Sequence, residues 1–432
     1  MSIKTTPKKI LVIAYYWPPS GGAGVQRWVK FCKYLPDFGY EPIVLTVENG
    51  TYPLTDTSLL DQIPAGTKVY RSKSIEPYSL FGKITGKSSE EVSTPATAFT
   101  TEKESLLKKI GVWIRANLFI PDARIGWIPD TLKKAKELIT SYDIDTFITT
   151  GPPNSTHVTG TKLKESFPEA KWIMDMRDPW SKIFFNETLP RSFPASWFDE
   201  HLEKKALSLA NEVIVVSKNM ADLERTIFER SYQIIPNGFD HEDFRVSGRE
   251  KSEKFSIKYV GSMTEAAIPY AFFHAVTKLS PVLKNKLEIH FYGSFNDKVK
   301  QMISKYGLSE LVSFHGYIPH LEAKNEMQSA DLLLLVIPQT TNNELILTGK
   351  LFDYIGSQSP ILYIGPIPGD AADIIKEAQV GHCFNYTDET GIADFLEESI
   401  SKNKVEYSAW EKDFKDHPYS RYSLTKHLSN LL

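Results

Sequence analysis

Cysteine is scarce. Cys32 and Cys383 are the only two in 432 residues, far apart and outside any Cys-x-x-Cys or Cys/His spacing, which argues against a disulfide scaffold or a zinc site and predicts two buried thiols. No charge of one sign dominates either: 50 Lys plus Arg stand against 53 Asp plus Glu, so there is no global basic field to hold a nucleic-acid backbone. Long apolar runs are missing as well. No stretch reaches the roughly 18 residues needed to cross a bilayer; Leu332 to Ile337 stops at Pro338, and Ile10 to Trp17 stops at Pro18. Although Lys8 and Lys9 precede that first run, no small-residue cleavage site follows it, so it reads as a buried strand and predicts a cytoplasmic protein. There is no short internal repeat, no GxGxxG or Walker pattern and no Asp-x-Asp motif in a fitting loop.

What is present is a globular composition, 41% hydrophobic and 24% charged, in a chain long enough for two domains. Short β-rich apolar runs alternate with longer amphipathic segments: Ile10 to Ile13, Pro42 to Leu45, Thr146 to Ile148, Trp172 to Met174 and Val213 to Val216. That rhythm predicts a mainly parallel sheet with helices on both faces. After the turn-like Ile235 to Asp240 and the polar stretch Ser247 to Lys254, it restarts at Ile257 to Gly261. It then continues through Leu287 to Tyr292, Val312 to His315, Leu332 to Ile337, Ile361 to Ile364 and His382 to Phe384. The fold class is therefore α/β, two doubly wound Rossmann-like domains. Such sheets bind ligands at the carboxyl ends of their strands, so two of them facing one another would enclose a cleft. The Ser-, Thr- and Glu-rich segment from Lys83 to Ser105 lacks an apolar period and reads as a loop.

Candidate chemistry sits in the post-strand loops. Pro18 to Gly24 holds Gly21, Gly22 and Gly24 just before Val25, Trp28, Val29 and Cys32 at helical spacing, so a glycine loop opens a helix. This suits phosphate binding at a helix N-terminus and equally suits a tight packing turn. Gly151-Pro-Pro-Asn-Ser-Thr-His157 places His157 in a first helical turn, to orient a substrate hydroxyl or simply to pack. In Asp175-Met-Arg177-Asp178-Pro-Trp180, two carboxylates, an Arg and a Trp at a strand end form either a sugar-binding surface or a turn locked by an Arg-carboxylate pair. Tyr259-Val-Gly261-Ser262 and Phe291-Tyr-Gly293-Ser294 are strand-to-glycine turns. A helix begins near Gly349 in Thr348-Gly-Lys350-Leu-Phe-Asp353-Tyr354; Lys350 with the free helical N–H groups would neutralise a diphosphate, and Asp353 would accept ribose hydroxyls, unless both are solvated helix residues.

The order of these pieces resembles the retaining nucleotide-sugar glycosyltransferases of the GT-B fold, the group one glycosyltransferases, and specifically those that build cell-surface polysaccharides. The resemblance spans nearly the whole chain: the GGAG loop, PDARIGW at Pro121 to Trp127, GPPNSTH, DMRDPW, VVS at Val215 to Ser217, IPNGFD, YVGS, FHGYIP at Phe314 to Pro319, and TGKLFDY. It implies domains at 1–217, joined by a returning C-terminal helix in 410–432, and at 218–409. It implies a donor site of Gly261 and Ser262 near the phosphates, Lys350 with Thr348 and Gly349 on the leaving diphosphate, Asp353 on the ribose, Gly316 and Tyr317 at the base, and Gly21 and Gly22 at the diphosphate from the first domain. His157 and Asp178 would lie near the transferred sugar and acceptor, with Arg177 and Trp180 on the acceptor side. Two departures stand out. Many members place two glutamates eight positions apart, whereas here the later is Asp353 and Glu344 stands one position off. Many also carry an Arg and a Lys after the strand that opens the second domain, where Met263 to Ala267 has neither.

The implied reaction is transfer of a sugar from a nucleoside diphosphate donor to a glycan or lipid-linked acceptor hydroxyl, with retention, without a metal or other cofactor. A nucleotide-sugar 2-epimerase and a non-catalytic sugar-nucleotide-binding scaffold remain as alternatives. The segment Leu106, Leu107, Ile110, Trp113, Ile114 and Leu118, interleaved with Lys108, Lys109 and Arg115, forms an amphipathic basic-aromatic helix. It suits peripheral contact with the inner face of a membrane, or packing on its own domain.

Overall fold

A computed structural model describes residues 6–432 apart from 53, 76–105, 184–185, 187–188, 245–251 and 411. The loop expected at 83–105 and residues 247–251 of the polar stretch lie outside the described residues. The chain forms two compact units, Met1–Asn237 with Leu424–Leu432, and Gly238–Ser423.

In chain order the first unit contains β1 (Lys8–Ala14), α1 (Ala23–Tyr34), β2 (Tyr40–Val47), β3 (Lys68–Ser72), α2 (Leu106–Leu118), α3 (Ile128–Tyr142), β4 (Thr146–Gly151), α4 (Ser155–Ser166), β5 (Lys171–Met176), α5 (Phe193–Leu209), β6 (Glu212–Val215), α6 (Lys218–Arg225) and β7 (Gln233–Ile234). All seven strands are parallel in the order β3-β2-β1-β4-β5-β6-β7, with Lys8 opposite Tyr40 and Leu11 opposite Phe147 in register. Period two sorts β1 between two cores. Leu11 and Ile13 pack with Trp127 and Phe147 on one face; Ile10 and Val12 pack with Trp28, Val29 and Cys32 of α1 on the other. Edge strand β3 and the two-residue β7 carry no continuous apolar run, because an edge strand is only partly covered. Residues 218–237, expected with the second domain, instead supply α6 and β7, and β7 pairs with β6.

The second unit contains β8 (Phe255–Val260), α7 (Tyr270–Lys278), α8 (Pro281–Asn285), β9 (Leu287–Tyr292), α9 (Asp297–Lys305), β10 (Val312–Gly316), α10 (His320–Gln328), β11 (Leu332–Val336), α11 (Gly349–Ser357), β12 (Ile361–Ile364), α12 (Asp370–Ala378), β13 (Gly381–Phe384) and α13 (Glu389–Lys402). Its six parallel strands run β10-β9-β8-β11-β12-β13. Helix α14 (Arg421–Ser429) closes the chain. Its start pairs within the second unit, where Arg421 N–H donates to the Phe239 carbonyl at 2.8 Å, while Leu424 and Leu428 are buried in the first-unit core. Both thiols are free; Cys32 is buried, but Cys383 is only half-buried. Among the described residues no helix is long and apolar enough to cross a membrane.

Candidate active site

Each sheet reverses its strand order once, between β1 and β4 and between β8 and β11, and a doubly wound sheet binds ligands at such a switch point. The glycine loop follows β1, GPPNSTH follows β4, Gly261 follows β8 and the Lys350 segment follows β11. The topology thus gathers these four segments at the two switch points, whereas Arg177, Asp178 and Trp180 follow β5 and Gly316 and Tyr317 lie at the end of edge strand β10.

In the second unit, β8, β9 and β10 each end in a glycine of positive φ: Gly261 at 127°, Gly293 at 128° and Gly316 at 71°. Gly261 N–H donates to the Tyr292 carbonyl at 2.7 Å, and Gly293 N–H to that of Gly316 at 2.6 Å. A Cβ on Gly293 would lie 2.4 Å from the Gly261 carbonyl oxygen, so only glycine lets the strand ends nest. A Cβ on Gly261 would lie 2.7 Å from Lys350 Cε; that clearance is the bed of the lysine stem. Lys350 Nζ stands 4.1 Å from the Tyr259 ring centroid and hydrogen-bonds Tyr259 Oη and, at 3.2 Å, the Ser262 carbonyl. Among the described residues it has no carboxylate partner, and burial lowers its pKa to about 8.

Lys350 rides on the first turn of α11, whose N-cap Thr348 makes no side-chain capping bond and has a buried hydroxyl without a partner. Tyr354, one turn on, pins the helix: its hydroxyl accepts from Val260 N–H at 2.9 Å. A helix N-terminus, an unpaired ammonium and an unused hydroxyl together favour an anion. Asp353 is half-buried; burial raises its pKa, against the charges of Lys324, His320 and Arg421. Glu344 lies in a short turn at Asn343–Leu345, held where Asn343 donates to the Pro338 carbonyl at 3.2 Å. Ser262, Gly316 and Tyr317 are exposed, and Gly316 follows a register shift in β10.

In the first unit, Gly21 N–H donates to the Leu54 carbonyl at 2.8 Å, and Gly22, at φ 108°, is the N-cap of α1 with open space around its Cβ position. Arg177 does not form the expected lock with a neighbouring carboxylate. Its Nε donates to the Gly151 carbonyl at 3.0 Å and its Nη2 to that of Pro152 at 2.8 Å, while Nη1 occupies the space a Gly24 Cβ would fill, 1.1 Å away. Asp175 belongs instead to a fully buried network with Arg27 (Nη2 at 2.8 Å), Trp28 Nε1 (2.7 Å) and Thr150 Oγ1 (2.9 Å). Burial would raise its carboxyl, but the charge and hydrogen bonds of Arg27, the Arg177 charge and the Trp28 hydrogen bond outweigh that and hold it low. A guanidinium beside the positive end of α1 is electrostatically unfavourable by itself, so this corner also favours an anion.

His157 is fully buried. Trp172 Nε1 donates to Thr149 Oγ1 at 2.9 Å, Thr149 Oγ1 shares a hydrogen bond with His157 Nδ1 at 2.9 Å, and Nε2 has no partner among the described residues and lies 2.4 Å from the Gly151 Cβ position. Burial drops its pKa to about 3, so the imidazole is neutral. Trp180, expected to offer a face to a sugar, is 1% exposed; its Nε1 donates to Asp199 at 2.8 Å and its ring packs 5.9 Å from His157, backing the loop from within. Asp178 is exposed and forms no hydrogen bond or ion pair among the described residues. PDARIGW is scaffolding: Asp122 accepts from Ser155 N–H at 2.8 Å and so caps α4, the helix that carries His157. Sequence reasoning left Tyr259 and Tyr354 without a role of their own and saw Gly24 only as part of the glycine loop, because each acts through a residue distant along the chain. Among the described residues no group of three or more His, Cys, Asp or Glu is placed to hold a metal ion.

Two doubly wound units, each with the strand order of a dinucleotide-binding domain, define the GT-B fold. No family model and no curated protein matches the chain. Solved structures do: the sucrose-phosphate synthase of Thermosynechococcus elongatus aligns at 13% identity and TM-score 0.58, over 98% of this chain and 94% of that one. A lipopolysaccharide outer core galactosyltransferase aligns at 12% and 0.59, over 98% of both chains. A putative UDP-N-acetylglucosamine 2-epimerase from Listeria monocytogenes aligns at 11% and 0.53, over 98% and 95%.

Proposed function

We propose that the chain is a retaining glycosyltransferase, cytoplasmic, moving a sugar from a nucleoside diphosphate to an acceptor hydroxyl on a glycan or lipid-linked carrier during cell-surface polysaccharide or glycolipid synthesis. The observation that carries this reading is Lys350, an ammonium with no carboxylate partner among the described residues, at the N-terminus of α11 and seated on Gly261. The bond from the anomeric carbon to the leaving phosphate breaks and a bond to the acceptor oxygen forms on the same face; the acceptor's proton passes to the departing phosphate. Lys350, the α11 amides and the Thr348 hydroxyl stabilise the negative charge that develops there, so the reaction needs no metal. Gly22 and Arg177 form a second anion-favouring corner within the first unit. Asp353 and Tyr317 hold ribose and base. Exposed Asp178 accepts from the acceptor or the transferred sugar, and neutral His157 positions the Gly151 to Pro153 loop beside them.

The test is a thermal-shift panel of UDP, GDP, ADP and their sugar conjugates, with and without Mg²⁺, on wild type and Lys350→Ala. A ligand at 100 times its dissociation constant adds about 2.7 kcal/mol. Stabilisation by one diphosphate family, indifferent to Mg²⁺ and lost in Lys350→Ala, is the expected result; no stabilisation of wild type by any nucleotide rejects the donor site. The likeness to an epimerase keeps one rival, which predicts interconversion of the bound sugar with no acceptor present.

A further inference from the structure

A pocket of about 220 Å³ opens in the second unit where Ser359 leads into β12 and Val380 into β13. All strands of this sheet are parallel, so the pocket lies at the edge opposite to the carboxyl ends where Gly261 and the Lys350 segment sit. Two helices end there. α11 stops at Ser357 and α12 at Ala378, and their C-caps, Gln358 and Gln379, both adopt the left-handed conformation and line the pocket. The segment that follows α13 is fastened across these ends: the Tyr407 hydroxyl donates to the Gln358 carbonyl at 2.8 Å, and Ser408 N–H to the Gln379 carbonyl at 2.8 Å. It brings Trp410 into the wall. The indole Nε1 donates to the Asp413 carbonyl at 3.1 Å, and the ring meets that of buried His417 edge-on, with centroids 4.7 Å apart.

The electrostatics of this pocket have one sign. Aligned peptide dipoles leave negative potential at a helix C-terminus, and two such ends converge here. None of the described residues that line the pocket is charged at neutral pH. α11 has no basic residue in its last turn, and Lys376, in the last turn of α12, is exposed and does not line the pocket. His417 adds no positive charge: its Nδ1 accepts from Tyr419 N–H at 3.1 Å, which holds the ring neutral, and burial lowers its pKa to about 4. The face of an aromatic ring is negative, and indole attracts a cation more strongly than the smaller rings do. Trp410 already draws one, the exposed Lys412, whose Nζ stands 5.7 Å from the ring centroid. An anion would be repelled by the helix ends and the ring alike, and a neutral apolar molecule would gain nothing from either.

We propose that this pocket binds a small organic cation, a quaternary ammonium or guanidinium group, with its charge against the Trp410 ring and the ends of α11 and α12. The proposal stands apart from the transfer reaction and from the donor-site residues. The experiment is a ligand-observed NMR titration of the full chain with choline, with methylguanidinium, and with the uncharged carbon isostere of choline, which carries tert-butyl in place of trimethylammonium. Binding of a cation about tenfold or more tighter than the isostere is expected. Trp410→Leu, which keeps apolar bulk and removes the ring, should weaken that binding about tenfold. Ala409 lines the pocket and is exposed, so a charge is tolerated there: Ala409→Arg should weaken cation binding and Ala409→Glu should tighten it. Lys350→Ala, at the other edge of the sheet, should leave it unchanged. Melting curves verify that each variant is folded. No cation binding by folded wild type, equal affinity for choline and its isostere, affinity indifferent to both charges at Ala409, or cation binding lost in Lys350→Ala would each overturn the proposal.

Discussion

Lys350 has exchanged a counter-ion for an aromatic face, and the exchange sets its titration. With burial lowering its pKa from 10.5 to about 8, the side chain is cationic in neutral solution and loses its charge just above. Diphosphate affinity should therefore fall as pH rises from 7 through 9, and calorimetric titration of Lys350→Arg should give a flat profile over that range, because a guanidinium stays charged. The stability linkage has its own sign. The folded value lies below the unfolded one, so the cost of burying the ammonium is fully present below pH 8 and is relieved as pH climbs toward 10.5. At this scale the sequence was informative where a residue acts through its neighbours. Gly261 and Lys350 announce themselves by a strand end and a helix start. Gly24 and Arg177 do not, since their contact joins positions 153 apart, and Trp180 looked like a sugar platform because an aromatic side chain carries no mark of which way it will turn.

Secondary-structure elements were legible in proportion to their burial. Central parallel strands such as β4 and β11 are buried throughout, whereas β3 has only one buried residue and β7 has two residues in all. Helix α5 was harder to read because its two sides do different things, one apolar toward solvent and one acidic toward the interior. The acidic side meets Glu224 of α6, a buried carboxyl whose two oxygens lack hydrogen-bond partners. Burial, with the Asp199 charge, lifts Glu203 to about 7, and burial with the neighbouring Glu203 carboxyl lifts Glu224 well above the usual carboxylate range. Raised folded values mean that the stability this pair contributes is present below about pH 4.5 and is lost as pH rises through 7. Glu224→Gln, an uncharged isostere, should raise Tm at pH 8 and leave it nearly unchanged at pH 5, as scanning calorimetry at the two pH values would reveal.

Across the whole molecule, the second unit is an insertion in the first. The outgoing and returning segments run side by side, Phe239 N–H donating to the Tyr419 carbonyl at 3.0 Å, and the last residues then finish a core begun at β1. Leu428→Ala removes a fully buried side chain and should cost about 2–5 kcal/mol, read by hydrogen exchange as lost protection in β1 and β2 with β8 and β9 unaffected. This arrangement also orders events in time. The 186 residues of the second unit leave the ribosome before Leu424 and Leu428 do, a wait of about 10–40 s at about 5–20 residues per second. Throughout that interval the nascent first unit carries an open apolar seat beside Ile10, Val12 and Val29, a surface for chaperones to hold until translation delivers the helix that fills it.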